Sequence, residues 1–268
     1  MKLVHDWLGP LELPDTAQRI VSLAPNVTET LFALGLGERL VGRSAFCYRP
    51  AATLSLPVVS SYTRVRWELL ESLKPDLVLV STGVQRELLF ELHRRGFPIF
   101  PIPLPQSPYG ILENIAVLGA LLEATEAATG LCARLSERYG ALYKALPPLR
   151  VYLEFDLGGP ITVGRGSYVG EALRYLGLQN IFAEHPQSYF QPDLAEVARR
   201  GPELVIYEPK PHRSRPLEKA QRLLAERGWC FPLVVTGGDE LAHYGPLFFD
   251  YLEALVEEIT RIVPSNLQ

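Results

Sequence analysis

The sequence predicts an α/β protein of two lobes, three-layered around parallel-leaning sheets, joined by one long rigid helix. Three observations carry this expectation. Residues 19–102 alternate short β-rich runs with helical ones, residues 151–235 do so again, and residues 123–146 between them read as unbroken helix. Strand–helix alternation of this kind builds sheets whose strands run mainly parallel, with helices covering them. The expected parts are a first lobe at 1–107, a helical segment at 108–148 and a second lobe at 149–268.

In the first lobe, residues 3–5 and 11–13 flank Gly9-Pro10 as a small hairpin. Residues 19–23 (RIVSL) form a short strand that Ala24-Pro25-Asn26 breaks. Residues 27–34 then follow helical spacing and stop at Gly35. Residues 40–42 and 56–59 make the next strands, the latter followed by the polar-aromatic loop 60–63. A helix at 67–73 leads to the apolar strand 76–80 (DLVLV), which reads as a buried parallel strand. Ser81-Thr82-Gly83 turns the chain into a helix at 85–94, and a strand at 98–102 and a helix at 109–122 complete this half.

The stretch 123–146 (EATEAATGLCARLSERYGALYKAL) is rich in residues that lose least on entering a helix. Ala127, Ala128, Leu131, Leu135, Tyr139 and Leu142 fall on one stripe. About 22 helical residues span roughly 33 Å, and Pro147-Pro148 is the expected stop. The second lobe reads as strands at 151–155, 161–164, 204–207 and 231–235, with a turn at Gly158-Gly159-Pro160. Its helices are expected at 168–176, 193–200, 217–226 and 246–262, with Tyr189-Phe190 in a loop.

The totals exclude several classes. Hydrophobic residues make up 47% and charged ones 21% of 268, the balance of an ordinary globular chain. A net charge of −4, with no basic cluster interleaved with aromatics, gives no nucleic-acid surface. Cys47, Cys132 and Cys230 stand apart without a CxxC, so buried inert thiols are expected rather than disulfides or a zinc site. The N-terminus lacks a signal-peptide pattern, and no apolar run approaches a bilayer span. The chain therefore reads as leaderless: either it works in the cytoplasm or a leader was removed.

No phosphate loop and no HExxH occur. Gly164-Arg165-Gly166-Ser167 lacks the glycine spacing of a nucleophile elbow and reads as a strand-to-helix turn. Asp239, Glu240 and His243 are the nearest acid–base grouping, expected on a surface loop. Where loops leave strands, however, aromatic and polar residues gather: Tyr48, Tyr62, Ser81, Thr82, Glu154 and Tyr189. Open α/β sheets bind ligands outside the carboxyl ends of their strands. Flat apolar rings with a few polar groups suit a flat, largely apolar ligand in an inter-lobe cleft.

The runs RIVSLAPNVTETLFALGLGERLVG, LLESLKPDLVLV and RRGFPIFPI resemble the helical-backbone substrate-binding proteins of ABC importers. So do VYLEFDLGGPITVGRGSYVGEALRYLGLQNIF, VARRGPELVIY and the closing YGPLFFDYLEAL, so the likeness covers nearly the whole chain. It implies the same two-lobe fold, no catalysis and no catalytic cofactor. The implied ligand is a metal chelate: cobalamin, haem or a ferric siderophore. The likeness is to the cobalamin-binding members, where Tyr62, Tyr189 and Ser81 take the places of three tryptophans and Tyr48 that of a further aromatic. It also implies an ABC permease as partner, met through Glu68 on the first lobe. On the second lobe the docking position is Ala195, with Glu196 beside it as candidate. The expectation is a monomeric, non-catalytic corrinoid carrier, for ABC-type uptake or intracellular handling. The alternatives are a haem or ferric-siderophore carrier, and a cytoplasmic cofactor-processing enzyme using Asp239, Glu240 and His243.

Overall fold

Short β-branched strands followed by amphipathic helices fold here into two sheet-centred units, seen in a computed structural model that describes residues 2–61, 64–83, 85–211 and 214–263. One unit comprises Met1–Leu104 and Leu112–Arg134, the other Pro105–Ile111 and Leu135–Gln268.

In the first unit, β1 (Lys2–His5) and β2 (Gly9–Glu12) pair antiparallel as a hairpin. Its turn falls at residues 6–8, because Gly9 and Pro10 already pair with His5 and Val4. The main sheet holds β3 (Ile20–Ser22), β4 (Leu40–Ser44), β5 (Val58–Ser60), β6 (Leu77–Ser81) and β7 (Ile99–Ile102). Its order is β5-β4-β3-β6-β7 and every pairing is parallel. Val21, Leu23, Val78 and Val80 pack on one face against Leu70 of α2 (Trp67–Ser72) and Leu88, Leu89 and Leu92 of α3 (Arg86–Arg94). The alternating residues Ile20, Leu77 and Leu79 are equally buried, as a sheet covered on both faces requires. Helix α1 (Pro25–Ala33) starts two residues earlier than its spacing suggests, at the proline expected to break the preceding strand. Proline at the first helical position loses nothing, since that N–H has no partner within the helix.

Helices α4 (Pro108–Leu121) and α5 (Thr125–Ala141) meet at a tight turn where Glu123 takes φ +60°. Each contributes residues to both units. The long helix is shorter than its sequence suggests, ending six residues before Pro147. Leu142 and Tyr143 donate three residues back, to the Tyr139 and Gly140 carbonyls. Lys144 then takes φ +52°, and the Lys144 and Leu146 N–H groups bond the carbonyls of Tyr175 and Leu176. Tertiary hydrogen bonds thus end this helix before proline can.

The second unit holds β8 (Arg150–Asp156), β9 (Pro160–Val163), β10 (Gln179–Asn180), β11 (Tyr189–Phe190), β12 (Leu204–Glu208) and β13 (Leu233–Val235). The path is β11-β9-β8-β12-β13, with β10 beside the start of β8. Pairs β8–β12 and β12–β13 are parallel, whereas β8–β9 and β9–β11 are antiparallel. Tyr152 and Val205 pack with Phe182, Val197, Leu224 and Trp229, a core supplied in part by α7 (Leu194–Arg200) and α8 (Pro216–Glu226). Helices α6 (Tyr168–Tyr175) and α9 (Leu247–Ile262) complete the unit. Tyr189 and Phe190 form a strand, not the expected loop, because they pair with Val163 and Thr162. Among the described residues, no helix is long and apolar enough to cross a membrane.

The α4–α5 crossing gives a direct test. A Cβ on Gly119 would collide with that of Ala128. Gly119→Ala is expected to lower stability by about 1–3 kcal/mol in urea unfolding, and adding Ala128→Gly to recover part of that loss.

Candidate functional site

A topological switch lies at the middle of the first sheet. In the first unit, β3 continues through α1 to β4 on one side, while its neighbour β6 continues through α3 to β7 on the other. Loops diverging in this way open a crevice at the strand carboxyl ends. Gln85, which is buried, ties the two ends together: its Nε2 donates to the Leu23 carbonyl at 2.8 Å, and the Ser81 N–H donates to its Oε1 at 3.1 Å. Ser81 is therefore a buried residue beneath this edge rather than an exposed wall. Half-buried Thr82 follows, its Oγ1 accepting from the Leu104 N–H at 3.1 Å.

Beside these ends lies the turn after β4. The Cys47 N–H donates to the Ser44 carbonyl at 3.2 Å, and its thiol lies 3.7 Å from the Ser22 carbonyl, which places residues 44–48 over β3 and β4. Tyr48 is half-buried, with the Arg49 guanidinium over its ring at 5.4 Å. Arg49 Nε is in turn 3.3 Å from Oε1 of the buried Glu29 on α1. A cation anchored from below thus holds the Tyr48 ring. Tyr62, expected in the same surface, lies outside the described residues.

In the second unit the parallel neighbours β8 and β12 diverge differently: β8 turns back through residues 157–159 into antiparallel β9, whereas β12 continues through α8 to β13 on the other side. Asp156 and Glu208 are the last residues of these strands, and Lys210 Nζ stands 3.6 Å from Asp156 Oδ1. A hollow of about 180 Å³ lies here, lined by Asp156, Tyr207, Pro209, Lys219, Arg222 and Glu226 among others. That is below the roughly 300 Å³ at which small-molecule pockets begin, so the hollow alone cannot enclose a large ligand.

Glu154 is buried within its strand rather than standing at the edge. Strand β8 runs on to Asp156, leaving Glu154 inside the sheet, where Arg227 grips it with two bonds of 2.7 and 2.9 Å. The Tyr152 hydroxyl donates a further bond at 2.7 Å, and burial beside this carboxylate pushes the phenol well above its usual range. Tyr189 is half-buried in β11; burial raises its hydroxyl too, with Ser167 and Tyr168 beside it. Ser167 caps α6 by accepting from the Gly170 N–H at 2.9 Å, the strand-to-helix role expected of it.

Asp239 and His243 are buried, not on a surface loop, with Nε2 and Oδ2 3.6 Å apart. Of the cysteines only Cys47 is buried, and burial pushes its thiol up; Cys132 is half-buried and Cys230 exposed. No group of three or more His, Cys, Asp or Glu among the described residues is placed to hold a metal. Glu68 is exposed in the first turn of α2. Glu196 also lies in a first turn, but Arg200 on its own helix binds its carboxylate at 2.5 Å, and exposed Ala195 beside it bears no charge.

Each α/β unit thus places polar and aromatic groups near the carboxyl ends of adjacent parallel strands. The chain belongs to the periplasmic binding protein family, whose model matches residues 20–230. It is 26% identical to the vitamin B12-binding protein of Pectobacterium carotovorum over 270 residues, 97% of this chain and 96% of that one. Against the vitamin B12-binding protein of Vibrio campbellii it is 30% identical over 194 residues, 71% and 70% of the two chains. The solved periplasmic vitamin B12 binding protein of Vibrio cholerae shares the fold at TM-score 0.78 and 24% identity, covering 93% of this chain and 99% of that one. The periplasmic heme binding protein of Vibrio cholerae shares it at TM-score 0.75 and 21% identity, covering 91% and 99%. The family consists of substrate-binding proteins, and its members work with ABC permeases.

Removing one partner of the buried Glu154–Arg227 pair leaves the other charge uncompensated. Arg227→Leu is expected to cost about 3–5 kcal/mol in chemical unfolding, and the Glu154→Leu, Arg227→Leu pair distinctly less.

Proposed function

We propose that this chain is a non-catalytic carrier of a corrinoid, held at the strand carboxyl ends. The full-length likeness to a vitamin B12-binding protein carries the reading, since 26% identity extends over 97% of this chain. The geometry supports it. Tyr48 offers a flat ring held by Arg49, with Thr82 beside the first switch point, and Tyr62 takes an aromatic place by resemblance. A corrin presents a broad, largely apolar face with amides at its rim, which aromatic faces and scattered polar groups fit. Tyr189 is the corresponding candidate in the second unit, with its hydroxyl buried. Handover to an ABC permease uses exposed Glu68; Glu196 is the weaker second contact because Arg200 already occupies it.

Titrating the purified chain with cyanocobalamin, followed by tryptophan fluorescence, tests the reading. Saturable binding at micromolar concentration or tighter is expected. Tyr48→Ala is expected to weaken it about tenfold, or about 1.4 kcal/mol. Absence of cobalamin binding alongside saturable binding of haem or a ferric siderophore would overturn the corrinoid assignment and keep the carrier role.

A further inference from the structure

The last residue of β12 does something that neither ligand contact nor core packing explains. Glu208 is 2% exposed, yet its carboxylate reaches out of its strand to the loop that follows β13. Oε2 accepts from the Leu241 N–H at 2.8 Å and the Thr236 hydroxyl at 3.0 Å, and Oε1 from the Ala242 N–H at 2.8 Å. The same loop is held from other sides. The Thr236 N–H bonds the Tyr207 carbonyl at 3.1 Å, and the Tyr168 hydroxyl bonds the Leu241 carbonyl at 2.7 Å. A Cβ on Gly238 would lie 2.7 Å from the Pro209 carbonyl oxygen, so this segment fits flush against the end of β12.

We propose that Glu208 is a pH-responsive positioning residue: as a neutral acid it seats the 236–242 loop at the carboxyl end of the second sheet, and as a carboxylate it favours the loop's release. The neutral acid is fully accommodated, because the Thr236 hydroxyl can reverse and accept its proton while both backbone N–H groups keep an oxygen to bond. The carboxylate also finds three donors, but it is a charge sealed from water. Burial outweighs those bonds and pushes Glu208 up to about 7. Swinging the loop away would expose the group and return it to the ordinary carboxylate range. By linkage the seated state then binds the proton more tightly, so seating is favoured below that range and lost as pH rises through about 7. Other titratable or charged groups near it are His243, Asp239 and Glu240 on the loop, Tyr168 on α6, and Lys210 with Asp156 at the strand ends. His243 lowers the Glu208 value. That the loop borders bound corrinoid rests on the function proposed above; the latch itself does not.

Hydrogen exchange at the Leu241 and Ala242 amides of the full chain, corrected for the intrinsic pH dependence of exchange, reads the latch directly. Opening is expected to become roughly tenfold more frequent from about pH 6 to about pH 8. Glu208→Gln, which cannot ionise, is expected to lose this pH dependence whatever its basal protection, since its amide nitrogen must face one of the two backbone N–H groups. A flat wild-type profile, or a slope that survives in Glu208→Gln and so belongs to another group, would overturn the proposal. Should Glu208→Gln fail to fold, Thr236→Val removes a hydroxyl whose bond to the carboxylate holds the Glu208 value down. It is expected to move the midpoint to higher pH, and an unmoved midpoint would count equally against the latch. Cobalamin affinity over the same pH range separates the two readings. Affinity changing in step with exchange supports the loop as part of the binding surface. No cobalamin binding at any pH overturns the corrinoid reading and leaves exchange to judge the latch.

Discussion

Burying both faces of a parallel sheet leaves polar chemistry few places to go. In the first unit Ile20, Leu77 and Leu79 fill one face while Val21, Val78 and Val80 fill the other, so neither face can offer a binding surface. What remains is the strand ends, and the carboxyl ends are where diverging connections leave a gap. Gln85 spans that gap with one amide, satisfying a carbonyl of the β3 end and an N–H of the β6 end. The Glu29–Arg49 pair does comparable work under Tyr48. Both arrangements fix the backbone and side chains of an edge before any ligand arrives, which reduces the ordering cost of binding.

Two buried glutamates of the second unit show how environment sets a side chain's role. Glu154 meets a guanidinium in two parallel bonds, and its charge is compensated on the spot. Glu208 is hydrogen-bonded by dipoles, two peptide N–H groups and a hydroxyl, with His243 acting on it through space. The first is a fixed strut between β8 and the residue that closes α8. The second is an acid that burial pushes toward its neutral form, hydrogen-bonded to a loop rather than to an opposing charge. A proton at Glu208 therefore changes what holds the loop.

Most elements were legible because local physics and tertiary packing agree in them. The run at β6 is apolar and β-branched, as a strand buried on both faces must be, and Gly35 and Gly177 end helices with positive φ where expected. The misses have a common cause in partners distant along the chain. Strands β10 and β11 are two residues each, and only their pairing with β8 and β9 makes them strands. Glu154 looked like an edge residue because its ion-pair partner lies 73 positions away. Gln85 was read as the first residue of a helix, its sequence carrying no sign that its side chain turns back to the sheet. Glu208 likewise gave no signal, since its donors belong to a loop that sequence alone placed at the surface. The aromatic set was only partly legible: Tyr48 lies at a strand-end loop as expected, whereas Tyr189 is part of the sheet.

The central claim is that ligand is held at the strand carboxyl ends, on edges arranged beforehand by buried polar ties. Hydrogen exchange across the whole chain, with and without saturating cyanocobalamin, tests it most directly. The account predicts new protection concentrated in the loops after β3, β4 and β6 and in those after β8 and β12, with the outer helices unchanged. Protection confined to the outer faces of the helices, or to the amino ends of the strands, would contradict it.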